Sequence, residues 1–376
     1  MSQKIKVCHI STVHTLHDTR ILYRECSSLV ECGYDVSLVI TSDKDEVING
    51  VKIEHIPRQK NRIFRMLLSP INALRRALGT AAKVYHLHDP ELIPIGLILR
   101  ILGKKVIFDV HENIVENIKE KKYIRFRNQI SLIYKGFEWA AAKYFFLILA
   151  ENSYYKTYQH LTTRVKVVLN TPDISFFEKF TVENRKPLNK LFYIGAISGD
   201  RGSVIMLEVM ELLQQRHPEL IYDCVGPALG SQHNLIVDNP RYSKVKDSYK
   251  LHGRMPLGDG YELSREAAIG IAILNPTKNY FESYPTKIFE YMAIGLPVVT
   301  SNFPLYRDVI EANECGICVD PSNPQEIADE ISKLLNDPER RQRYAENGRK
   351  VVQSKYSWEA QRKELEAAYA EVLAER

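Results

Sequence analysis

Short apolar runs of strand character and longer amphipathic stretches of helical spacing alternate along this sequence, stop once, and then alternate again. Nothing else in it restricts the fold as much. Parallel neighbours in a sheet need a crossover of a dozen or more residues, and an amphipathic helix is the usual one. In the first stretch, strands are predicted at Lys6–Ile10, Asp35–Thr41, Val51–Ile56, Lys83–His88, Lys105–Val110, Tyr144–Ala150 and Val165–Leu169. Helices are predicted between them, among them Arg20–Cys32, closed by Gly33, and Arg62–Ala82. Asn170-Thr-Pro-Asp173 ends the series, and the polar stretch Thr181–Asn189 reads as a linker. The rhythm restarts at strand Leu191–Ile194 and helix Val204–Arg216. It runs on to helices Pro324–Leu335 and Pro338–Lys355 and a closing amphipathic helix from Trp358. The fold class expected is α/β: two Rossmann-like, doubly wound domains, residues 1–180 and 187–355. Ligands are expected in the cleft at the C-terminal ends of the strands.

Composition narrows the class. A chain of 376 residues suits two domains. Hydrophobic content of 45% with 26% charged residues describes an ordinary soluble globular protein. No apolar run approaches about 18 residues, so no transmembrane helix is predicted. The N-terminus passes straight into a strand without a secretory segment. Cysteines 8, 26, 32, 224, 315 and 318 are scattered, several within apolar runs, which points to reduced thiols in a cytoplasmic protein. The net charge of +5 conceals two unlike halves. Residues 1–180 carry 27 Lys+Arg against 18 Asp+Glu, and the remainder 24 against 28. A basic first half suits an anionic surface or substrate.

The segment Glu282-Ser-Tyr-Pro-Thr-Lys-Ile-Phe-Glu290-Tyr-Met-Ala-Ile-Gly295-Leu-Pro-Val-Val carries the most chemistry. Ile288, Phe289, Met292 and Ala293 recur at helical spacing, Pro285 suits the first turn, and Gly295 is a C-terminal stop. A helix start offers free N–H groups and a positive dipole end to an anion such as a diphosphate. Glu282 before the helix and Glu290 within it can reach different parts of one ligand. Upstream, Phe192-Tyr-Ile-Gly195-Ala-Ile-Ser-Gly199-Asp-Arg201-Gly202 joins a strand to a helix. Its glycines would let backbone N–H groups approach a phosphate beside the fixed charge of Arg201.

Together these segments resemble the E-x7-E motif and Gly-rich turn of retaining family 4 glycosyltransferases, which have the GT-B fold. The resemblance extends over nearly the whole chain, through Val167-Val-Leu-Asn-Thr-Pro-Asp and Tyr356-Ser-Trp358. It implies a C-terminal helix, about 358–376, that crosses back to the N-terminal domain. It also implies that Glu290 holds a ribose and Glu282 the donor sugar. Gly195, Arg201, Gly202, Tyr284, Pro285, Thr286 and Lys287 would bind the donor, Arg201 and the helix start at Pro285–Lys287 meeting its diphosphate, with Arg254 and Met255 beside the base. The family's Gly-rich turn carries an Arg where this sequence has Ala196, and Arg201 stands where the family has Lys; Lys287 is the candidate second cation.

In the first half, Val106-Ile-Phe-Asp109-Val-His111-Glu112 resembles the family segment whose His meets the transferred sugar, so His111 is the candidate there. Tyr85-His-Leu-His88-Asp89 and His17-Asp18-Thr-Arg20 supply the acceptor-side candidates His17, Asp18, His88 and Asp89, with a helix N-cap as the competing role for Asp18 or Thr19. The His-x-His pair at 86 and 88 also invites a metal; the family is metal-independent, and no metal or other cofactor is expected. Two basic, apolar-rich stretches, Ile56–Lys83 and Lys119–Lys143, fit an anionic membrane face or, equally, a core-facing stripe with a solvated side. No nucleic-acid module is evident.

The resemblance thus implies a hexosyl transfer, with retention, from a UDP- or GDP-linked sugar to an acceptor hydroxyl. The acceptor expected is a lipid-linked or growing saccharide of bacterial surface polysaccharide, and the location the cytoplasm or the inner face of the plasma membrane. A GT-B-type nucleotide-sugar epimerase and a non-catalytic subunit of a polysaccharide assembly complex are the alternatives.

Overall fold

The computed structural model describes residues 4–59, 61–111, 127–182 and 189–375. Glu112, Lys119–Phe126 and residues 183–188 of the linker, named above, lie outside them. The chain divides into two units: residues 1–170 with 361–376, and residues 171–360.

The first unit is built on an eight-stranded sheet: β1 (Lys6–Ile10), β2 (Asp35–Thr41), β3 (Glu46–Ile48), β4 (Val51–Ile56), β5 (Val84–Leu87), β6 (Lys105–Val110), β7 (Phe146–Leu149) and β8 (Val165–Val167). Their order is β3-β4-β2-β1-β5-β6-β7-β8, parallel throughout except for the β3–β4 hairpin. The sequence reading did not include β3. Helices α2 (Arg62–Gly79), α3 (Ile93–Ile101) and α4 (Arg127–Tyr144) pack on the face that carries Cys8, Tyr85, Leu87 and Phe108.

The other face is polar at its centre. His9 pairs in register with His86, and His86 with Ile107, so His88 and Asp109 follow two residues on along the same face. It is covered by α1, which begins as a π-helix at Thr19–Cys26 and continues as α-helix Ser27–Glu31. The amphipathic pattern predicted an α-helix here. In a π-helix residues i and i+5 share a face, and Arg20 and Glu25 are both turned inward, with Nε and Oε1 3.0 Å apart. The C-terminal helix (Trp358–Ala374) buries Gln361, Leu365, Ala368, Tyr369 and Val372 along one stripe. It is tied to this unit by Lys105 Nζ, which donates to the Val372 carbonyl at 2.8 Å, and by the Leu169 amide, which donates to Gln361 Oε1 at 2.8 Å.

The second unit has six parallel strands in the order β11-β10-β9-β12-β13-β14: β9 (Lys190–Ile194), β10 (Ile221–Val225), β11 (Tyr249–Gly253), β12 (Ile269–Ala272), β13 (Val298–Ser301) and β14 (Gly316–Val319). The division at residue 170 falls ahead of the one read at 180, because the short helix α5 (Ile174–Glu178) and the turn after it set Phe177 and Phe180 into the same core as Phe192, Tyr261 and Phe289. Among the described residues no helix is long and apolar enough to cross a membrane.

Candidate functional site

At the C-terminal end of central strand β9 the chain turns at Gly195, with φ +134°. A Cβ at this position would stand 3.2 Å from Lys287 Nζ. Glycine therefore lets the backbone sit directly against the lysine. Lys287 belongs to helix α8 (Thr286–Ala293), separated by three residues from the short helix α7 (Lys278–Glu282). It is only 6% exposed. Its ammonium lies 4.3 Å from the centre of the Tyr193 ring and donates to the Tyr193 hydroxyl at 3.2 Å. That hydroxyl donates in turn to the Ala196 carbonyl at 2.6 Å. Burial, followed by the charge of Arg201, pushes the Lys287 ammonium down to about 7, against the pull of Glu290. Arg201 closes a 3₁₀ turn at Gly199–Arg201, just ahead of helix α6 (Ile205–Gln214), and interacts with the Tyr193 and Tyr280 hydroxyls. Gly202 follows at φ +76°, where a Cβ would meet the Ile273 carbonyl oxygen at 2.6 Å. Two cations thus converge on one phenol beside a glycine turn.

Pro285 is the N-cap of α8, with extended ψ, so the helix starts one residue later than its proline suggested. Ile288, Phe289, Tyr291 and Met292 are buried. The helix ends in a Schellman closure at Gly295, with the Leu296 amide on the Tyr291 carbonyl at 2.9 Å. Glu290 accepts a hydrogen bond from the buried Tyr261 hydroxyl. Glu282 is the last residue of α7 and half-buried. Tyr284 meets Phe289 edge-on at 5.3 Å. Arg254 is exposed just beyond β11, and Met255 packs beside the Phe289 cluster.

In the first unit, His88, Asp89, Asp109 and His111 line a cavity of about 150 Å³ together with His14. Asp109 is fully buried and binds Arg20 through both oxygens at 3.1 Å. Burial would raise its carboxyl, but Arg20 and then His111 hold it well below the carboxylate range. His111 Nε2 lies 3.0 Å from Asp109 Oδ2. Burial lowers His88, partly offset by Asp109, and lowers His9 and His86 further. Glu25 is raised well above its ordinary value by burial and by the nearby charge of Asp109. Asp89 accepts from the Thr12 amide at 2.6 Å and the Ser11 hydroxyl at 2.9 Å, and faces His14 Nδ1 at 3.1 Å.

His17 and Asp18 stand apart from this group. His17 is exposed and bonds the Tyr23 hydroxyl at 2.7 Å. Asp18 caps α1, accepting from the Arg20 and Ile21 amides at 2.9 Å. The sequence reading missed His14 and Glu25; one looks like a loop residue, the other like an ordinary polar helix position. Among the described residues, His9, Glu25, His86 and His88, and separately His88, Asp109 and His111, are close enough to share a metal ion. Arg20 already bonds both Asp109 oxygens and faces Glu25, so a divalent ion at either group would sit beside a fixed positive charge.

Residues 175–351 match the family model for glycosyl transferases group 1. The Arg201–Lys287 pair, Glu282 and Glu290 all fall within this group 1 segment. The capsular polysaccharide biosynthesis glycosyltransferase CapM of Staphylococcus aureus is 26% identical over 216 residues, 53% of this chain and 53% of CapM. The chain spans about half the length of the curated relatives it matches first. Sucrose-phosphate synthase of Thermosynechococcus elongatus superposes with a TM-score of 0.73 at 16% identity, over 99% of this chain and 100% of that one. HepE of Anabaena, solved in complex with UDP-glucose, superposes with a TM-score of 0.71 at 12% identity, over 98% of this chain and 100% of that one. At these identities the likeness shows the fold, which is GT-B: two Rossmann-like α/β units, with the C-terminal helix returning to the first.

Proposed function

We propose that this protein is a retaining glycosyltransferase that moves a hexosyl group from a nucleoside-diphosphate sugar to an acceptor hydroxyl. The observation that carries the reading is the convergence of Arg201 and Lys287 on Tyr193 at the Gly195 turn, inside the group 1 segment. Buried, pre-positioned cations act most strongly on charge that develops during reaction, and the leaving diphosphate is where it develops. The N-terminal end of α8 adds its dipole. Glu290, oriented by Tyr261, is assigned to the ribose and Glu282 to the donor sugar; Arg254 and Met255 are assigned to the base. HepE's complex with UDP-glucose supports a nucleotide-sugar donor. The mechanism assigns no metal to the diphosphate: the two side chains and the helix end supply the positive charge there. His111 is assigned to the transferred sugar, with His88 and Asp89 bordering it.

The acceptor proposed is a lipid-linked or growing saccharide of surface polysaccharide, in keeping with the name of CapM. Attachment to an anionic membrane surface is supported by α2, α3 and α4. They expose Leu67, Ile71, Ile101, Leu132, Ile133 and Trp139, with basic Arg75 exposed on α2 and Lys135 and Lys143 on α4. Thermal-shift measurements with UDP, GDP and their sugars test the donor assignment, because a ligand of the native state raises the unfolding temperature. A selective rise that Glu290→Ala abolishes is expected. No rise with any of them would remove the donor assignment.

A further inference from the structure

The polar face of the first sheet holds a run of hydrogen-bonded rings for which sugar transfer gives no reason. Asp109, gripped by Arg20, can only accept. His111 Nε2, at 3.0 Å, therefore donates to it. His88 Nδ1 faces the same Asp109 oxygen at 3.5 Å and His111 Nε2 at 3.4 Å. An N–H at His88 Nδ1 is attracted by that oxygen, whereas a lone pair would be repelled by it and would draw the His111 proton away. A neutral imidazole has one proton, so His88 Nε2 accepts. Its partner is His9 Nδ1 at 2.9 Å, which must donate. His9 Nε2 then accepts from the Tyr369 hydroxyl at 3.0 Å, and the Tyr369 oxygen accepts from His86 Nδ1 at 3.0 Å. The run ends at His86 Nε2, a buried nitrogen without a hydrogen-bond partner. Reversing every bond would leave a buried N–H there with no acceptor, and such orphaned donors are rarer than orphaned acceptors.

We propose that Tyr369, on the C-terminal helix, is a positioning residue for His111, acting through His9, His88 and Asp109. Its hydroxyl supplies the only bond described for His9 Nε2. With that donor in place His9 and His88 keep their protons on Nδ1, His88 shares Asp109 with His111, and His111 keeps its lone pair on Nδ1. His9, His86 and His88 are thereby held in the Nδ1–H tautomer, the less common one for imidazole in water. The consequence for catalysis rests on the proposed role of His111. The tautomers themselves do not.

The test uses the full-length protein labelled with ¹⁵N in its imidazoles. Two-bond ¹H–¹⁵N correlation spectra distinguish the two neutral tautomers, and single histidine replacements assign the signals. Nδ1–H forms are expected for His9, His86 and His88, and Nε2–H for His111. Tyr369→Phe, which removes one oxygen and keeps the ring, should switch His9 or His88 and shift the His111 resonances. Tyr34→Phe removes a hydroxyl from the ring 5.7 Å from Tyr369 and should leave all four unchanged. Nε2–H forms at His9 and His88 in the unaltered protein would overturn the proposal. So would a His111 signal indifferent to Tyr369→Phe, or a stoichiometric divalent metal in the purified protein. None of these readings requires substrate, so a failure of the donor assignment would show separately, in the thermal shifts.

Discussion

Lys287 Nζ lies 3.2 Å from the hydroxyl of Tyr193 and is held by burial at a pKa of about 7. Its charge is therefore available to a ligand only at a cost that grows with pH. Between pH 7 and the ordinary lysine value of 10.5 the free native protein binds fewer protons here than the unfolded chain, so the penalty that Lys287 imposes on stability fades as pH rises across that window. Binding a diphosphate reverses the preference, because the anion favours the ammonium. Affinity for UDP-glucose, whose diphosphate does not ionise near neutrality, should be about tenfold weaker at pH 8 than at pH 6. Calorimetry in buffers of different ionisation enthalpy should show proton uptake on binding at pH 8. Lys287→Met should weaken binding at pH 6 and flatten the profile; an unchanged slope in that variant would remove Lys287 from the site.

Glu290 and Tyr261 make the second donor-side prediction. The Tyr261 hydroxyl is buried and donates to Glu290, and its own pKa is raised by burial and by the Glu290 charge. Glu290→Ala should cost about 1.5–3 kcal/mol of nucleotide affinity, the usual range for hydrogen bonds to a charged group. Tyr261→Phe leaves the carboxylate present but less firmly oriented, and should cost about 0.5–1.5 kcal/mol. Equal dissociation constants for UDP in all three proteins would remove the ribose assignment.

Much of this architecture is visible in the sequence because it depends on periodicity. Among the described residues the alternating runs locate seven of the eight strands of the first unit, and the stripe Ile288, Phe289, Met292 with Gly295 locates α8. The exception, β3, had a local signal that the apolar pattern did not include. Asn49 and Gly50 both have positive φ, 51° and 78°, which is what a two-residue hairpin turn requires. Other features arise only in three dimensions. His9, His86 and Tyr369 meet across 283 and 360 residues of sequence separation, and nothing in the His-x-His pair on its own points to the tyrosine. The π-helical start of α1 is equally silent, since Arg20 and Glu25 fall on different faces of the α-helix that their neighbours predict.

The exposed apolar residues of α2 and α4 lead to a prediction about membranes. Vesicles of zwitterionic lipid should float little of the protein, and vesicles containing a third anionic lipid should float most of it, with recovery falling as salt is added. Leu67→Asp with Ile71→Asp, both exposed in α2, should return the protein to the soluble fraction without lowering its unfolding temperature. Equal flotation with and without anionic lipid would remove the charge-assisted reading.

The buried rings of the first unit predict an unusual sensitivity to mild acid. His9, His86 and His88 have folded-state values depressed below 6.5, so they stay neutral in the native protein while the unfolded chain protonates them. Their contribution is present above pH 6.5 and is lost as pH falls through the depressed values. Glu25 has the opposite sign: its raised value lets the native state keep a proton that the unfolded chain releases above pH 4.5. His14, raised by Asp89 despite burial, is protonated in both states well below pH 6.5 and drops out there. Asp89 and Asp109 are depressed below 3.8 and matter only at lower pH. His217 is lowered as well, by burial and then by Arg216, so in mild acid the unfolded chain takes up more protons at these imidazoles than the native protein does. Each imidazole that stays neutral in the native protein adds to the loss, so stability should fall as the pH drops below 6.5, at about 1.4 kcal/mol per proton per pH unit. Urea denaturation at pH 7, 6 and 5 measures the slope directly. A midpoint that stays level between pH 6 and 5 would mean that the three imidazoles are not held neutral in the native protein.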